Sequence, residues 1–512
     1  DIVSGNKLFR RFFKKFFAVL TDNKLNYPHP ERTTIHNGKP IIWRVMTFEA
    51  PVDKLSENEL LGLMEFDDGF IKDLKQKHRN VVRAIPDKPP VPFYKGKGYT
   101  MVGGGKYSWY ALLSVQVLRK VGSLLPVEIL IPNDDEYEAE VCENIFPLYN
   151  AKCVLMSKVF GKETLKNFEL SGYQFKSFAL LGSSFDDTFL LDSDTFPVMN
   201  PDPLFASPLY KHYEMITWPD FWRRTVSPRY YEVAGIEVGP KPVRHLNDFY
   251  TDSKYYASEE QRTNYKEDIP YHDREGTLPD WTTESGELLI RKSTHFNSLL
   301  LSLYYNTDGP QGYHPLLSQG GAGEGDKETF VAAAHYYNQP FYQLYKAPDR
   351  IFGWHDRSKG TWEHTTIAQY DPLNDFEILK ANVKRVEEDI EREGDSYQYI
   401  YEYAFRFPWT QDNCKAMFYH VHDPKMDPFL IKEKSVNLDL DDGKIRNLGD
   451  LLPGVGFDLE GTIYRNMRYN LCEQKWKFQT FKDQDMKELC AGYLHDHIAY
   501  LEKTEKEILA KH

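Results

Sequence analysis

The sequence predicts an α/β fold, an open sheet flanked by helices, and three observations carry that expectation. Tyr99-Thr-Met-Val102, then Gly103-Gly104-Gly105-Lys106, then Leu112, Leu113, Val117 and Leu118 at helical spacing read as strand, tight turn and helix. Val127-Glu-Ile-Leu-Ile131, stopped by Pro132, reads as the next strand; such a strand–helix–strand crossover is right-handed in nearly all sheets. Finally, the apolar run Phe189-Leu-Leu191 stops at Asp192 and Asp194, with Pro197, Pro201 and Pro203 beyond. Two carboxylates at the end of a buried strand stand where open α/β sheets bind ligands. Hard oxygen donors there suit Mg²⁺ or Mn²⁺ carried by a diphosphate.

The 512 residues suffice for two to four domains or one large one. The net charge of −13 argues against a nucleic-acid partner, for want of a broad basic surface. Thirty-four Tyr and nine Trp can line a sugar or peptide cleft, but such rings more often fill a core. The five cysteines show no CxxC spacing, so no zinc site is expected; one or two disulfides fit a secretory compartment. No Asn-x-Ser/Thr sequon occurs and no apolar run reaches the ~18 residues of a membrane span. The chain starts at Asp1 rather than Met, so the expectation is a processed or truncated chain with any anchor upstream.

Taken in order, Leu8 to Leu20 is basic and aromatic, readable as a helix packed on its own domain or as a surface-seeking one. Ser56-Glu-Asn-Glu59 is a capping-box pattern opening a helix expected to run to about Ala84. Pro86, Pro89, Pro90 and Pro92 form a stiff linker and a candidate boundary. After the first two strands, Val154-Leu-Met156 is a third strand, and Tyr173 to Leu181 a helix leading into the aspartate strand. Residues 226–280, rich in Pro, Tyr and charge, read as an excursion over the sheet. Thr283 to Ile290 is a further apolar run, followed by a helix near 293–305 in which His295 reads as structural. Gly320 to Phe330 combines glycines with Glu324, Asp326 and Glu328: acids repel a phosphate but suit sugar hydroxyls, unless they only cap the helix expected at 327–337. Lys415 to Pro424 is a late strand bearing His420 and His422, which alternation would point to opposite sides. A charged tail ends in a helix near 484–509 with Leu489, Leu494, Ile498 and Leu501 as its apolar stripe.

Asp-x-Asp occurs three times, at Asp192/Asp194, Asp439/Asp441 and Asp483/Asp485. Only the first ends a fully apolar run after a strand–helix–strand unit; the third reads as solvated acids on a helix. Gly103, Gly104 and Gly105 would let the backbone approach a nucleotide, although they match no phosphate-loop pattern. Arg223 and Arg224, after Trp218 and Asp220, could clamp phosphate or sugar, or form surface ion pairs. Lys176 could reach the ligand or be a solvated helix lysine.

Several motifs in order carry a resemblance. Tyr173 to Phe185, Leu190-Leu-Asp-Ser-Asp194, Asn200-Pro-Asp-Pro-Leu-Phe205, Phe221-Trp-Arg-Arg-Thr225 with Ala234-Gly-Ile236, Gly323 to Phe330, and His420-x-x-x-Pro-Lys425 resemble the fungal MNN-type α-mannosyltransferases of the Golgi. The resemblance is closest to the branch-initiating α-1,2 members and covers about 95–430. It implies a GT-A type Rossmann-like glycosyltransferase fold with N- and C-terminal helical extensions, split as 1–92, 93–430 and 431–512. It implies GDP-mannose as donor, Mn²⁺ (or Mg²⁺) as cofactor, and an α-mannan or N-glycan acceptor. The family's members are type II membrane proteins of the Golgi lumen, whose anchor this chain does not contain. By carry-over, the metal ligands are Asp192, Asp194 and His420, with His422 the alternative. Gly103, Gly104, Gly105, Lys106, Lys176, Asp192 and Ser193 would bind the donor. Trp218, Asp220, Arg223, Arg224, Glu284, Ser285, Gly286 and Glu324 would face sugar or acceptor. Asp326 and Glu328 are the candidate catalytic carboxylates, Asp326 preferred as nucleophile if retention proceeds by double displacement rather than front-face attack. An α-1,3-mannosyltransferase and a non-catalytic mannan-binding subunit are the competing readings.

Overall fold

The chain is described as a computed structural model covering residues 6–25, 35–36, 39–40, 54–411 and 414–511. Parts of the expected N-terminal extension therefore lie outside the described residues. Its first helix, α1 (Lys7–Asp22), starts where the Asn6 side chain accepts hydrogen bonds from the Leu8 and Phe9 N–H groups. Phe9, Phe13, Phe16, Phe17 and Leu20 recur at helical spacing and are buried. They pack on Phe93, Phe160 and Phe178, so the packed reading of this basic helix holds. The capping box at Ser56 forms, but its helix ends at Leu61. A second cap, Asp67, starts α2 (Asp68–Ala84) afresh, which corrects the single long helix expected from 56 to 84.

The central elements follow as β1 (Lys97–Val102), α3 (Lys106–Lys120), β2 (Val127–Ile131), β3 (Ala151–Leu155), α4 (Phe175–Gly182), β4 (Asp187–Leu191), β5 (Thr195–Pro197), β6 (Met215–Pro219) and β7 (Thr283–Arg291). Then come α5 (Phe296–Thr307), α6 (Thr329–Tyr336), β8 (Tyr342–Gln343), β9 (Asp349–Asp356), β10 (Thr361–Tyr370), α7 (Pro372–Glu393) and β11 (Ala416–Val421), and in the tail α8 (Leu459–Arg468) and α9 (Leu494–Ala510). One seven-stranded sheet has the order β8-β6-β7-β4-β1-β2-β3. Strands β4, β1, β2 and β3 are parallel neighbours, whereas β7 runs antiparallel between β4 and β6. The expected α/β, Rossmann-like architecture is thus present, with a mixed sheet.

Side-chain alternation explains the unbroken apolar runs. Phe189 and Leu191 face one core with Tyr99, Met101, Ile129 and Trp218. Leu190 faces the other with Leu130, Leu288, Ile290 and Phe296. A strand covered on both faces has no polar side to show.

A second, antiparallel sheet has the order β9-β10-β11-β5. Its β11–β5 pairing sets His420 opposite Thr195, and so draws a strand more than 200 residues away onto the Asp192–Asp194 turn. Two disulfides form, Cys142–Cys153 and Cys472–Cys490, and Cys414 is free and buried. The other two Asp-x-Asp pairs are local devices. Asp439 accepts from the Asp441 and Gly443 N–H groups, and Asp485 caps the helical turn at Glu488.

Candidate active site

The order of strands fixes where a site can lie. The chain leaves β1 for β2 on one side and comes back to β4 on the other, and ligands bind outside the carboxyl ends of strands at such a switch point. A cavity of about 630 Å³ opens there, with Gly103 from the end of β1 and Asp192, Ser193 and Asp194 from the end of β4 in its wall.

The aspartate turn is clamped by main chain from three elements. The Asp192 N–H donates to the Gly286 carbonyl at 2.8 Å, and the Val421 N–H to the Asp194 carbonyl at 3.0 Å. The Ser114 hydroxyl of α3 donates to the Ser193 carbonyl at 2.7 Å. Lys176 of α4 is no solvated helix lysine. It is buried, its Nζ lies 2.9 Å from Asp192 Oδ1 and 3.7 Å from Asp326 Oδ2, and it donates to the Ser285 carbonyl at 3.0 Å. Burial opposes its charge, yet Asp192, Asp326 and Glu284 outweigh that and raise its pKa.

His420 stands among three carboxylates. Its Nε2 lies 3.1 Å from Asp194 Oδ1 and 3.7 Å from Asp192 Oδ2, and its Nδ1 lies 3.1 Å from Glu284 Oε1. Burial alone would lower the imidazole, but Asp194 and Glu284 push it well up. Burial likewise opposes ionisation of Asp194, whereas His420 and Lys425, whose Nζ contacts Asp194 Oδ2, hold the carboxyl well below its usual range. The close approach of β7 to β11 requires Gly286: a Cβ there would sit 2.8 Å from both Glu284 Oε1 and His420 Nδ1. Glu287, wholly buried three residues beyond Glu284, has its carboxyl pushed well up, first by burial and then by Glu284. A protonated Glu287 can donate to its ionised neighbour.

These residues fit a divalent cation. Ligand atoms of Asp192, Glu284 and His420 all lie within 4.8 Å of one another, and Asp194 meets the same imidazole nitrogen as Asp192. Six carboxylates (Glu136, Asp192, Asp194, Asp220, Glu284 and Asp326) line the cavity against three lysines (Lys176, Lys327 and Lys425). A cluster this acidic and this buried calls for added positive charge. Oxygen donors with one imidazole suit Mn²⁺ or Mg²⁺ better than a soft metal.

Among the sequence-predicted residues, Gly103, Lys176, Asp192, Ser193, Asp194, Asp220, Glu284, Ser285, Asp326, His420 and His422 all line this cavity. Both histidines do, which corrects the expectation that alternation would admit only one: residues two apart along an extended chain share a face, and His422 directly follows the last residue of β11. His420 is the one among the carboxylates, whereas burial and then His420 push His422 down to about 4. Asp326 is buried and accepts from the Ser285 hydroxyl at 3.0 Å; burial raises its carboxyl to about 6 against the pull of Lys176.

Other expectations are corrected. Glu328 and Arg224 form a wholly buried ion pair, and Glu328 also accepts from the Thr283 N–H at 2.8 Å. Arg224 further donates to the Pro279 carbonyl at 2.6 Å. Both sit under the site as structural members rather than as catalytic acid and sugar clamp. Arg223 reaches the other way, to Asp280 and the Lys54 carbonyl. Trp218 is core: it is fully buried beside Phe189 and Phe418, and its Nε1 donates to the Tyr370 carbonyl at 2.9 Å. Glu324 folds back to accept from the Gly320 N–H at 2.7 Å. Gly104, Gly105 and Lys106 are not in the cavity wall. Gly104, at φ +94°, turns the chain into α3 and leaves no room for a Cβ, which would lie 2.9 Å from Glu136. Gly286 is also behind the wall, acting through backbone and close packing.

Sequence reasoning missed Lys425, Lys327 and Glu287. Lys425 lies in the quoted late motif, so its position was visible but its contact with Asp194 was not. Lys327 pairs with Asp220 at 2.7 Å across the cavity. Glu287 stands between Gly286 and the apolar Leu288-Leu-Ile290, and nothing in that stretch marks it as buried.

Known proteins resemble this chain in sequence. The family model described as "Mannosyltransferase putative" matches residues 96–371. The chain is 33% identical over 523 residues to α-1,2-mannosyltransferase MNN21 of Candida albicans, covering 98% of this chain and 76% of that protein. It is 37% identical over 475 residues to α-1,2-mannosyltransferase MNN2 of Saccharomyces cerevisiae, covering 89% and 79%. Among solved structures, the galactosyltransferase LgtC overlaps 49% of this chain and 73% of its own, at 10% identity and a TM-score of 0.27. The chain belongs to the mannosyltransferase family that includes these fungal α-1,2-mannosyltransferases.

Proposed function

We propose that the chain is a retaining α-1,2-mannosyltransferase that moves mannose from GDP-mannose onto the α-1,6-mannan backbone of cell-wall mannoprotein N-glycans. The observation that carries this is the convergence of Asp192, Asp194 and His420, backed by Glu284, at the switch point of the sheet. The names of the relatives favour the α-1,2 over the α-1,3 linkage.

Asp192, Asp194 and His420 would hold Mn²⁺ or Mg²⁺, which when bound supplies Lewis-acid neutralisation of the leaving diphosphate. Glu284 accepts the Nδ1 proton of His420 and so leaves Nε2 for the aspartates. Lys176 and Lys425 orient the two aspartates and keep their charges compensated while the cavity is dry. Asp326 lies apart from the aspartate pair and is the carboxylate available to the positive charge at the anomeric carbon. Donor and product are both α-linked, so configuration is retained. In a double displacement, an Asp326 oxygen bonds the anomeric carbon as the bond to diphosphate breaks, and the acceptor 2-hydroxyl then displaces the Asp326 carboxylate, giving its proton to the departed diphosphate.

No helix among the described residues is long and apolar enough to cross a membrane. Family membership supports a lumenal Golgi location, and the division proposed is 1–92, 93–430 and 431–512, with the family match at 96–371 inside the middle part. The test is transfer from a panel of sugar nucleotides to α-mannosides with the product linkage determined. Transfer from GDP-mannose into an α-1,2 linkage is expected; transfer only from another donor, or none with metal present, overturns the reading.

A further inference from the structure

A second cavity, of about 730 Å³, lies outside the site just described, and Tyr255, Tyr256, Trp281, Tyr399 and Tyr401 contribute to its wall. Such a volume is that of an oligosaccharide-sized ligand rather than of one hexose. The rings are held in place. His245 stacks on Tyr256 at 5.3 Å between centroids and meets Tyr399 and Tyr401 edge-on at 5.8 and 5.4 Å. The Tyr399 hydroxyl donates to Asp248 at 2.9 Å and the Tyr401 hydroxyl to Asn247 at 2.6 Å. Rings fixed before binding cost little entropy when a ligand arrives.

The charges are mixed: Lys54, Arg223, Lys254 and Arg406 stand against Asp268, Asp273 and Glu402. That balance suits neither a polyphosphate nor a polycation. Carboxylates and the Gln261 amide among aromatic faces suit a neutral polyol, with C–H faces laid on the rings and hydroxyls on the polar groups.

The cavity is a chain neighbour of the active site. Asp220 lines the first cavity and Arg223 the second, and Glu284 lines the first and Trp281 the second. Asp220 and Arg223 are three residues apart, as are Trp281 and Glu284, a reach of at most about 10 Å. A small hollow between them is lined by Lys327, which also lines the first cavity, and by Arg223, which also lines the second.

We propose that this tyrosine-lined cavity is a remote subsite that binds the unreacting part of a neutral oligosaccharide acceptor, a chain of α-linked mannose residues. The assignment rests on the mannosyltransferase reading for the identity of the sugar, not for the existence of the site. Remote binding of this kind spends its energy on holding the acceptor chain near the reacting centre.

The test uses the full chain and α-1,6-linked mannohexaose. Calorimetry without metal or nucleotide should detect hexaose binding to the wild type. Tyr255→Ala, at a half-exposed ring, should weaken it about tenfold, the scale of losing one aromatic anchor. Tyr256→Ala, which removes a second ring from the wall, should also weaken it. In transfer assays Tyr255→Ala should raise KM for the hexaose about tenfold and leave KM for methyl α-mannoside and for the donor unchanged. Hexaose binding that both variants leave intact, or loss of GDP binding in Tyr255→Ala, overturns the proposal. Hexaose binding that depends on these tyrosines, without any mannosyl transfer, instead supports the subsite and removes the enzymatic reading. Melting curves of the variants that match the wild type tie either result to the cavity.

Discussion

His420 Nδ1 lies 3.1 Å from Glu284 Oε1, and that contact decides which imidazole nitrogen faces the aspartates. With Nδ1–H given to Glu284, Nε2 faces Asp194 at 3.1 Å, and the proton that these two carboxylates hold on the imidazole is the one a bound cation would replace there. Glu284→Ala should therefore cost about 10- to 100-fold in Mn²⁺ affinity, the usual effect of removing an orienting carboxylate. Glu284→Gln, which can still accept from Nδ1, should recover part of it. Titration calorimetry with Mn²⁺ alone checks this, and unchanged affinity in Glu284→Ala would remove Glu284 from the site.

Asp194→Ala should abolish transfer while the protein stays folded. The Val421 N–H binds the Asp194 carbonyl, which alanine keeps, and the change removes only the carboxylate contacts to His420 and Lys425. The readout is product formation from GDP-mannose, with a melting curve as control. Retained activity would detach the chemistry from the aspartate turn.

Lys176→Met should lower kcat/KM by about 100-fold or more, because Asp192 and Asp326 then face one another without the intervening ammonium. Single-turnover rates separate this from weak donor binding. A variant altered only in donor KM would make Lys176 a binding residue instead.

Glu328→Ala should destabilise the fold by about 3–5 kcal/mol, since it strands the wholly buried Arg224. Denaturant unfolding measures it. A stable but inactive Glu328→Ala would restore the catalytic role that the geometry takes away.

One pH effect lies outside the site. Asp308 follows α5 and is buried, and burial raises its carboxyl to about 7, with Lys77 opposing. Its unfolded value is near ~3.9. A carboxyl raised in the folded state binds its proton more tightly there. Its contribution is thus full below about pH 4 and is lost as pH rises towards 7. Asp308→Asn, which cannot ionise, should match the wild type near pH 4 and exceed it at pH 8, by at most about 4 kcal/mol. Melting temperature against pH for both proteins checks the sign.

The residues that could be read in advance share a physical property: their surroundings are local in sequence. Phe189 to Leu191 signals a strand covered on both faces, and Asp192 and Asp194 mark its end. Gly103 follows its own strand in the same way. The failures are residues whose meaning depends on a distant partner. Glu328 and Asp326 are two residues apart in one acidic cluster, yet one meets Arg224 beneath the sheet and the other turns into the cavity. Nothing in their spacing separates them. Trp218 and Asp220 differ likewise: alternation would put residues two apart on one face, but the register shifts at Thr217/Trp218 and the strand ends at Pro219, so Trp218 is core and Asp220 lies at the cavity wall.

By itself the sequence determined the α/β class, the parallel unit at its heart, the aspartate turn and the family, because apolar periodicity, breakers and ordered motifs are local properties of the chain. The tertiary structure decided the rest. The β11–β5 pairing brought His420 and Lys425 to Asp194, and β7 lying antiparallel beside β4 brought Glu284 to His420. Which carboxylates are ionised, paired or free to act follows from those long-range contacts, since burial and neighbouring charge set them and neither is written in any short stretch of chain.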